Sequence, residues 1–308
     1  MKLVFMGTPD FAVPCLTALQ EAGHEIAAVF TQPDKPKGRG YALTPPPVKE
    51  KALSYGLPVY QPATVRDGEA EALLREIGPD AVAVVAYGKI LPPALLEIPR
   101  YGCINVHASL LPRHRGASPI QWAIVCGDEK TGVTTMQMAE GMDTGDILEQ
   151  VETPIDPDET AESLHDRLSH MGAKLLVQTL QDLEAGTVTP IKQDEALATK
   201  APLIRKEMGQ MDFAKTAGEL HNLARGFYPW PGAYTTLGGK RLKVLETRLA
   251  AGDGAPGEVL CAEGRLTVAC GGHTALELVR VQLEGKKPLT AADLLRGHPI
   301  PAGTRLGE

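Results

Sequence analysis

Apolar positions in the first half of the chain follow two alternating rhythms. The runs LVFMG (3–7), IAAVFT (26–31), AVAVVAYG (81–88) and INVHASL (104–110) read as strands, whereas residues 10–22 and 68–77 carry apolar side chains at helical spacing. This alternation predicts an α/β fold with a Rossmann-like, mainly parallel open sheet and helices on both faces. AVAVVAYG is apolar on both faces, as a central strand requires. A long helix is predicted from Thr160 to Glu184, where Leu164, Leu168, Met171, Leu175, Leu176 and Leu183 form a stripe and Gly186 supplies the stop.

The rhythm then fails. The stretch TPIKQDEALATKAPLIRKEMG (189–209) is polar, carries two prolines and lacks strong periodicity. It divides a first domain, 1–188, from a second, 208–308, with 189–207 as linker. Beyond it, a short helical stretch (213–226) precedes RLKVLETRL, GEVLCAEG, RLTVACGG and ALELVRVQLEG, short strands separated by glycines. Such spacing predicts a smaller all-β domain, a barrel or sandwich.

Composition narrows the class. The chain has 308 residues, 43% hydrophobic and 22% charged, the range of an ordinary globular protein with two domains. No run approaches the roughly 18 apolar residues of a membrane span. The start, MKLVFMGTPDF, reads as a first buried strand rather than a signal peptide. Five scattered cysteines with no CxxC pair, and no HExxH, give no grounds for a metal site or a disulfide framework, and fit a reducing cytoplasm. The net charge of −7 argues against indiscriminate nucleic-acid binding. That charge is uneven: from Met208 onward there are 12 Lys+Arg against 10 Asp+Glu, so the acidity sits in the first part.

Candidate chemistry gathers in two segments. After strand one, MGTPDFAVP predicts a strand-to-helix turn with Thr8 as N-cap and Pro9 at the first helical position. A ligand-binding helix N-terminus is the alternative. Neither GxGxxG nor a Walker lysine is present, which disfavours NAD and ATP. In INVHASL, Asn105 and His107 lie two apart and project to one side, near the carboxyl edge where open α/β sheets bind ligands. A lone histidine is more often a hydrogen-bonded core residue. Two polar residues beside the loop LPRHRGAS shift that balance, as does GVTTMQMAEGMDTGDILEQ (132–150), whose EGMDTGD reads as a tight acidic loop able to bring a carboxylate to His107. Asp143 and Asp146 are equal candidates on this reading. Asn, His and Asp suit direct acyl transfer to an amine: amide and imidazolium stabilise the oxyanion, and the carboxylate supports the histidine's charge and proton traffic. No GxSxG or comparable nucleophile lies nearby.

The segments FMGTPDFAVP, TQPDKPKGRG, VVAYGKILP, GCINVHASLLPRHRGASPIQ, GVTTMQMAEGMDTGDI and RGFYPWPGAY together resemble the methionyl-tRNA formyltransferase family over almost the whole chain. The Asn105–Gln121 segment resembles folate-dependent formyltransferases as a class, and the other motifs narrow it to this family. The resemblance implies a formyltransferase fold with an OB-like C-terminal barrel that helps hold tRNA. It implies an enzyme that moves the formyl group of 10-formyltetrahydrofolate onto the free amino group of initiator methionyl-tRNA, giving N-formylmethionyl-tRNA for translation initiation. By the same resemblance Asn105, His107 and Asp143 are the catalytic trio, which places Asp143 ahead of Asp146. Tyr87, Gly88, Ile90 and Leu91 become folate-binding candidates. The loop 31–51 resembles a basic insertion that enters the tRNA acceptor end, with Lys35, Lys37 and Arg39 as RNA contacts; unaided, it reads as a solvated loop whose prolines and glycines resist regular structure. Phe227, Tyr228 and Trp230 lie among basic residues as an RNA platform would, although for Trp230 a packed corner is the leading reading. A monomer without metal or membrane partner is expected.

Overall fold

The structure, a computed structural model, describes residues 1–37 and 42–308. The chain forms two compact units, one of Met1–Gly116, Thr131–Thr153 and His165–Ala201, the other of Ala117–Lys130, Pro154–Leu164 and Pro202–Glu308. Two stretches lying ahead of residue 188 therefore group with the C-terminal part.

The first unit is built on a sheet of β1 (Lys2–Gly7), β2 (Glu25–Phe30), β5 (Val59–Tyr60), β6 (Ala81–Val85), β7 (Cys103–His107), β8 (Lys130–Gln137) and β9 (Ile147–Pro154), in the order β5-β2-β1-β6-β7-β8-β9. Pairings from β5 through β7 are parallel, and β8 joins β7 antiparallel. Helices α1 (Val13–Glu21), α2 (Pro47–Ser54), α3 (Glu69–Ile77) and α4 (Pro93–Leu96) fall between the parallel strands. Alternate residues explain the layering: Val4, Met6, Ala28, Phe30, Val82 and Val84 pack with Ala70 and Leu74 of α3 and Leu95 of α4. Every residue of β6 is buried, as a central strand demands.

The expected strands appear: β1 ends where its run does, and β2, β6 and β7 stop one to three residues short of theirs. Residues 132–137, ahead of the acidic loop, belong to β8, with Val133 to Met136 buried in the sheet. One expectation fails. Residues 35–37 and 42–44, read as irregular, form the antiparallel pair β3 (Lys35–Lys37) and β4 (Ala42–Thr44), with Pro36 opposite Leu43.

The long helix, α6 (Ala161–Ala185), stops at Gly186, whose φ is +71°. Leu164, Leu168, Leu176 and Leu180 are buried along it, whereas Met171, Leu175 and Leu183 are only half-buried. The packed face lies one step round from the predicted stripe, with Gly172 and Ala173 buried on it. A Cβ on Gly172 would sit 2.8 Å from Val106 Cγ1 on β7.

In the second unit, α5 (Pro119–Val125) packs on α7 (Ala217–Gly226); Trp122 meets Phe227 edge-on with ring centres 6.4 Å apart. Helix α7 opens with a capping box between Thr216 and Glu219. The antiparallel sheet consists of β10 (Ala233–Leu237), β11 (Lys240–Ala250), β12 (Val259–Cys261), β13 (Leu266–Cys270), β14 (Thr274–Leu283) and β15 (Leu289–Thr290), followed by α8 (Ala291–Gly297). Its path is β10-β11-β14-β13-β12, with β15 on β14. Leu242, Val244, Leu276, Leu278 and Val281 face a core shared with Leu220 and Leu223 of α7. A mainly parallel α/β unit and an antiparallel β unit match the predicted class. Among the described residues no helix is long and apolar enough to cross a membrane.

Two helix glycines should respond oppositely to substitution. Gly172→Val forces overlap with Val106 and should cost about 1–3 kcal/mol. Gly218 in α7 has nothing among the described residues within 4 Å of its missing Cβ, so Gly218→Ala should stabilise by about 0.4–1 kcal/mol. Urea unfolding of both variants measures the difference.

Candidate active site

Strands β6 and β7 run parallel with Val84 level with Asn105, so both end at one edge. Alternation along β7 turns Val106 toward α6 and sends Asn105 and His107 to the opposite face. His107 is buried, and its Nε2–H donates to the carbonyl of His114 at 3.0 Å, which fixes the ring. Its Nδ1 faces Asp143 Oδ1 at 3.7 Å, an ion-pair distance looser than a hydrogen bond. The other carboxylate oxygen, Asp143 Oδ2, accepts from the Gly116 N–H at 2.8 Å. Asn105 is half-buried. Among the described residues its amide has no intramolecular partner, leaving donors and acceptor for a ligand.

Of the two acids that the sequence leaves level, Asp143 stands beside His107. Asp146 contributes its main-chain carbonyl, which accepts from Gln137 N–H at 2.9 Å. The route is indirect. Because β8 is antiparallel to β7, with Ile104 opposite Gln137 and His107 opposite Thr134, the loop 138–146 leaves the sheet level with Ile104. That is about 10 Å short of His107 at the usual strand rise, so the loop doubles back over the Asn105–His107 face. Two backbone features permit it. Gly145 lies so close to the neighbouring chain that a Cβ would fall 1.6 Å from the carbonyl oxygen of Gln137. Asp143 adopts φ +54°, a left-handed conformation that costs a side-chain-bearing residue about 1–2 kcal/mol. Ala86 (φ +45°) and His114 (φ +57°) share that strain. Such outliers gather where function holds them.

The strand ends beside this pair carry the other candidates. Tyr87, 1% exposed, and Leu91 are buried, whereas Gly88 is exposed and Ile90 is 61% exposed. The four thus divide into a buried footing and an open surface. Among the described residues the Tyr87 hydroxyl has no hydrogen-bond partner, and burial pushes its pKa up to about 12. Thr8, expected to cap a helix, does not: the 3-10 turn at Asp10–Ala12 has Pro9 as its N-cap. The Thr8 hydroxyl instead donates to the Tyr87 carbonyl at 3.1 Å and accepts from Gln32 N–H at 3.3 Å. The Gln32 amide donates to the carbonyls of Tyr87 and Gly88. Three strand ends are therefore stitched together by polar groups that the sequence shows only as a turn.

Lys35 and Lys37 lie on β3, and Lys35 is exposed; Arg39 lies outside the described residues. At the base of this hairpin, Lys49 Nζ donates to both oxygens of Asp34 at 2.8 Å and to Gln61 Oε1 at 2.7 Å. Lys49 and Gln61 hold the Asp34 carboxyl below its usual range. In the second unit Phe227 is buried, Tyr228 half-buried and Trp230 54% exposed. The packed corner expected of Trp230 is thus occupied by Phe227.

Sequence reasoning missed a support beneath the site. Arg115 donates from Nε to Gln193 Oε1 at 2.9 Å and pairs through its two terminal nitrogens with Glu195 at 2.9 and 2.8 Å. Arg115 stood in the PRHRG run, but Gln193 and Glu195 lie in a stretch that reads as polar linker and carried no signal.

The arrangement is that of a formyl-transfer fold. Residues 1–180 match the family model described as "Formyl transferase" and residues 203–299 the one described as "Formyl transferase, C-terminal domain". A sugar 3N-formyl transferase solved with dTDP and 5-N-formyl-THF superposes with a TM-score of 0.69 at 19% identity, covering 93% of this chain and 99% of that one. HypX from Aquifex aeolicus, in complex with tetrahydrofolic acid, gives 0.63 at 17% identity over 96% of this chain and 47% of that one. The methionyl-tRNA formyltransferase of Acidobacterium capsulatum is 54% identical over 100% of both chains, and that of Geobacter metallireducens 52% identical over 100% of this chain and 99% of its own. The chain belongs to the methionyl-tRNA formyltransferase family.

The loop geometry can be tested directly. Gly145→Ala must push the loop off Gln137 and shift Asp143, and misplacement on the order of 1 Å lowers rates by about 100-fold. Single-turnover rates of formyl transfer, compared at equal folded fraction, measure it.

Proposed function

We propose that this enzyme transfers the formyl group of 10-formyltetrahydrofolate to the free amino group of initiator methionyl-tRNA, with Asn105, His107 and Asp143 as its chemical centre. The observation that carries the assignment of the centre is the half-buried Asn105 amide, without an intramolecular partner among the described residues, on the same strand face as the buried His107–Asp143 pair. When bound, the folate supplies the formyl carbonyl that the amine attacks and the nitrogen that leaves.

The residues present suit it. Exposed Ile90 and Gly88 beside buried Tyr87 and Leu91 offer apolar surface and main-chain edges to a flat, polar-rimmed ring. Asn105 directs amide N–H groups to the formyl oxygen as negative charge gathers there. His107 has Nε2 committed to His114, so Nδ1 is the position from which it donates to the same oxygen. Asp143, held through Oδ2 by Gly116, supports the charge of that ring and relays the proton the amine gives up to the nitrogen that leaves.

The β3–β4 hairpin serves the nucleic acid. Lys35, Lys37 and Arg39 contact the acceptor end, with the Asp34–Lys49–Gln61 cluster anchoring the hairpin's base. The second unit holds more of the tRNA: Arg241 stacks 4.0 Å over Tyr234 and lies beside exposed Lys243, a pairing of cation and aromatic that suits RNA.

Asn105→Ala and His107→Ala should each slow single-turnover formylation by about 100-fold or more while leaving tRNA affinity intact. Rates near wild type would remove the centre. Formylation of a small amino sugar with none of methionyl-tRNA would overturn the acceptor. Lys35→Ala should weaken productive tRNA use and reduce the slope of log affinity against log salt by about 1, with folate binding unchanged.

A further inference from the structure

The loop that carries Asp143 lies on a strap. Residues 191–201 run past the site and touch both segments that meet His107. At one end, Ile191 and Ile147 exchange two main-chain hydrogen bonds of 2.8 Å at the foot of the 138–146 loop. At the other, Thr199 accepts through its carbonyl from Arg115 N–H, donates from its N–H to the Pro112 carbonyl and accepts through its hydroxyl from His114 N–H. The strap therefore holds the segment whose His114 carbonyl orients His107 and whose Gly116 N–H grips Asp143.

Between these two ends stands Gln193, and every hydrogen-bonding group of its amide that faces the site is used. The two Nε2 hydrogens go to the carbonyls of Asp143 at 2.8 Å and Gly145 at 2.7 Å. Its Oε1 accepts from Arg115 Nε at 2.9 Å, and the Arg115 guanidinium is fixed in turn by the two oxygens of Glu195. A side chain that donates twice on one side and accepts on the other is an amide. Glutamate would present oxygens to two carbonyls, and a hydrocarbon would leave those carbonyls without donors.

We propose that Gln193 is a positioning residue for the Asp143 carboxylate: by binding the main chain on either side of Thr144, it sets how far the 138–146 loop folds back over β7 and hence where Oδ1 stands relative to His107. This rests on the reading of Asp143 as part of the chemical centre. Gln193 need not touch either substrate, so its loss falls on the chemical step rather than on binding.

The test is a double-mutant cycle on the full-length enzyme, with single-turnover formylation of methionyl-tRNA and KM for both substrates as readouts. Gln193→Ala and the isosteric Gln193→Glu should each lower the rate by about 10- to 100-fold, with both KM values within about twofold and thermal melting showing a folded protein. In an Asp143→Asn background, the same Gln193 changes should cost less than about twofold, because residues acting as one unit are not additive. Full additivity, or a fall expressed in KM alone, overturns the proposal. Wild-type rates for both Gln193 variants overturn it as well. If Asp143→Asn itself keeps the wild-type rate, the catalytic reading of Asp143 fails, a result distinct from any of these.

Discussion

A carboxylate must be carried back over the face of β7 to reach a histidine whose ring is already fixed, and much of the first unit answers to that constraint. The antiparallel join of β8 to β7 creates the difficulty, since it releases the loop at the wrong end of the strand. Gly145, the left-handed Asp143 and the Gly116 N–H resolve it locally. Each of these leaves a polar main-chain group or a strained φ that something else must satisfy, because buried polar groups without partners are costly. The carbonyls of Asp143 and Gly145 find Gln193, and Gln193 finds Arg115.

The same logic explains the strand ends on the other side of the site. Where β1, β2 and β6 stop, their main chains turn away from the sheet and expose carbonyls. Thr8 and Gln32 gather those of Tyr87 and Gly88 into one surface. That surface is buried where it meets the core, through Tyr87 and Leu91, and open where Gly88 and Ile90 face outward. For the folate proposed to bind there, main-chain edges already held by side-chain hydrogen bonds keep the ordering cost of binding low.

How much of this could be read from the residues alone varied with the range of the interactions. Period-2 and period-3.6 patterns are local, so the parallel strands, the long helix and the shared side of Asn105 and His107 were legible. The choice between Asp143 and Asp146 was not, because it depends on a loop reversing over a strand far from it in sequence. Thr8 misled for a related reason. Its hydroxyl had a plausible local use as a cap, and a partner 79 positions away took it instead. Gln193 was invisible because nothing in a polar, proline-containing stretch distinguishes a strap from a tether. In the second unit, β10 and α8 went unread, being short and set among glycines and prolines.

The grouping of α5 with α7 has a consequence for the order in which the chain is made. Helix α5 presents Trp122 and Val125 to a core whose remaining members come from the C-terminal third. Phe227, against which Trp122 packs, leaves the ribosome about 100 residues later, which at about 5–20 residues per second leaves the tryptophan without its partner for roughly 5–20 s. During synthesis, then, the first unit emerges with an apolar helix still unpaired, and the nascent chain must keep it from other partners until α7 arrives.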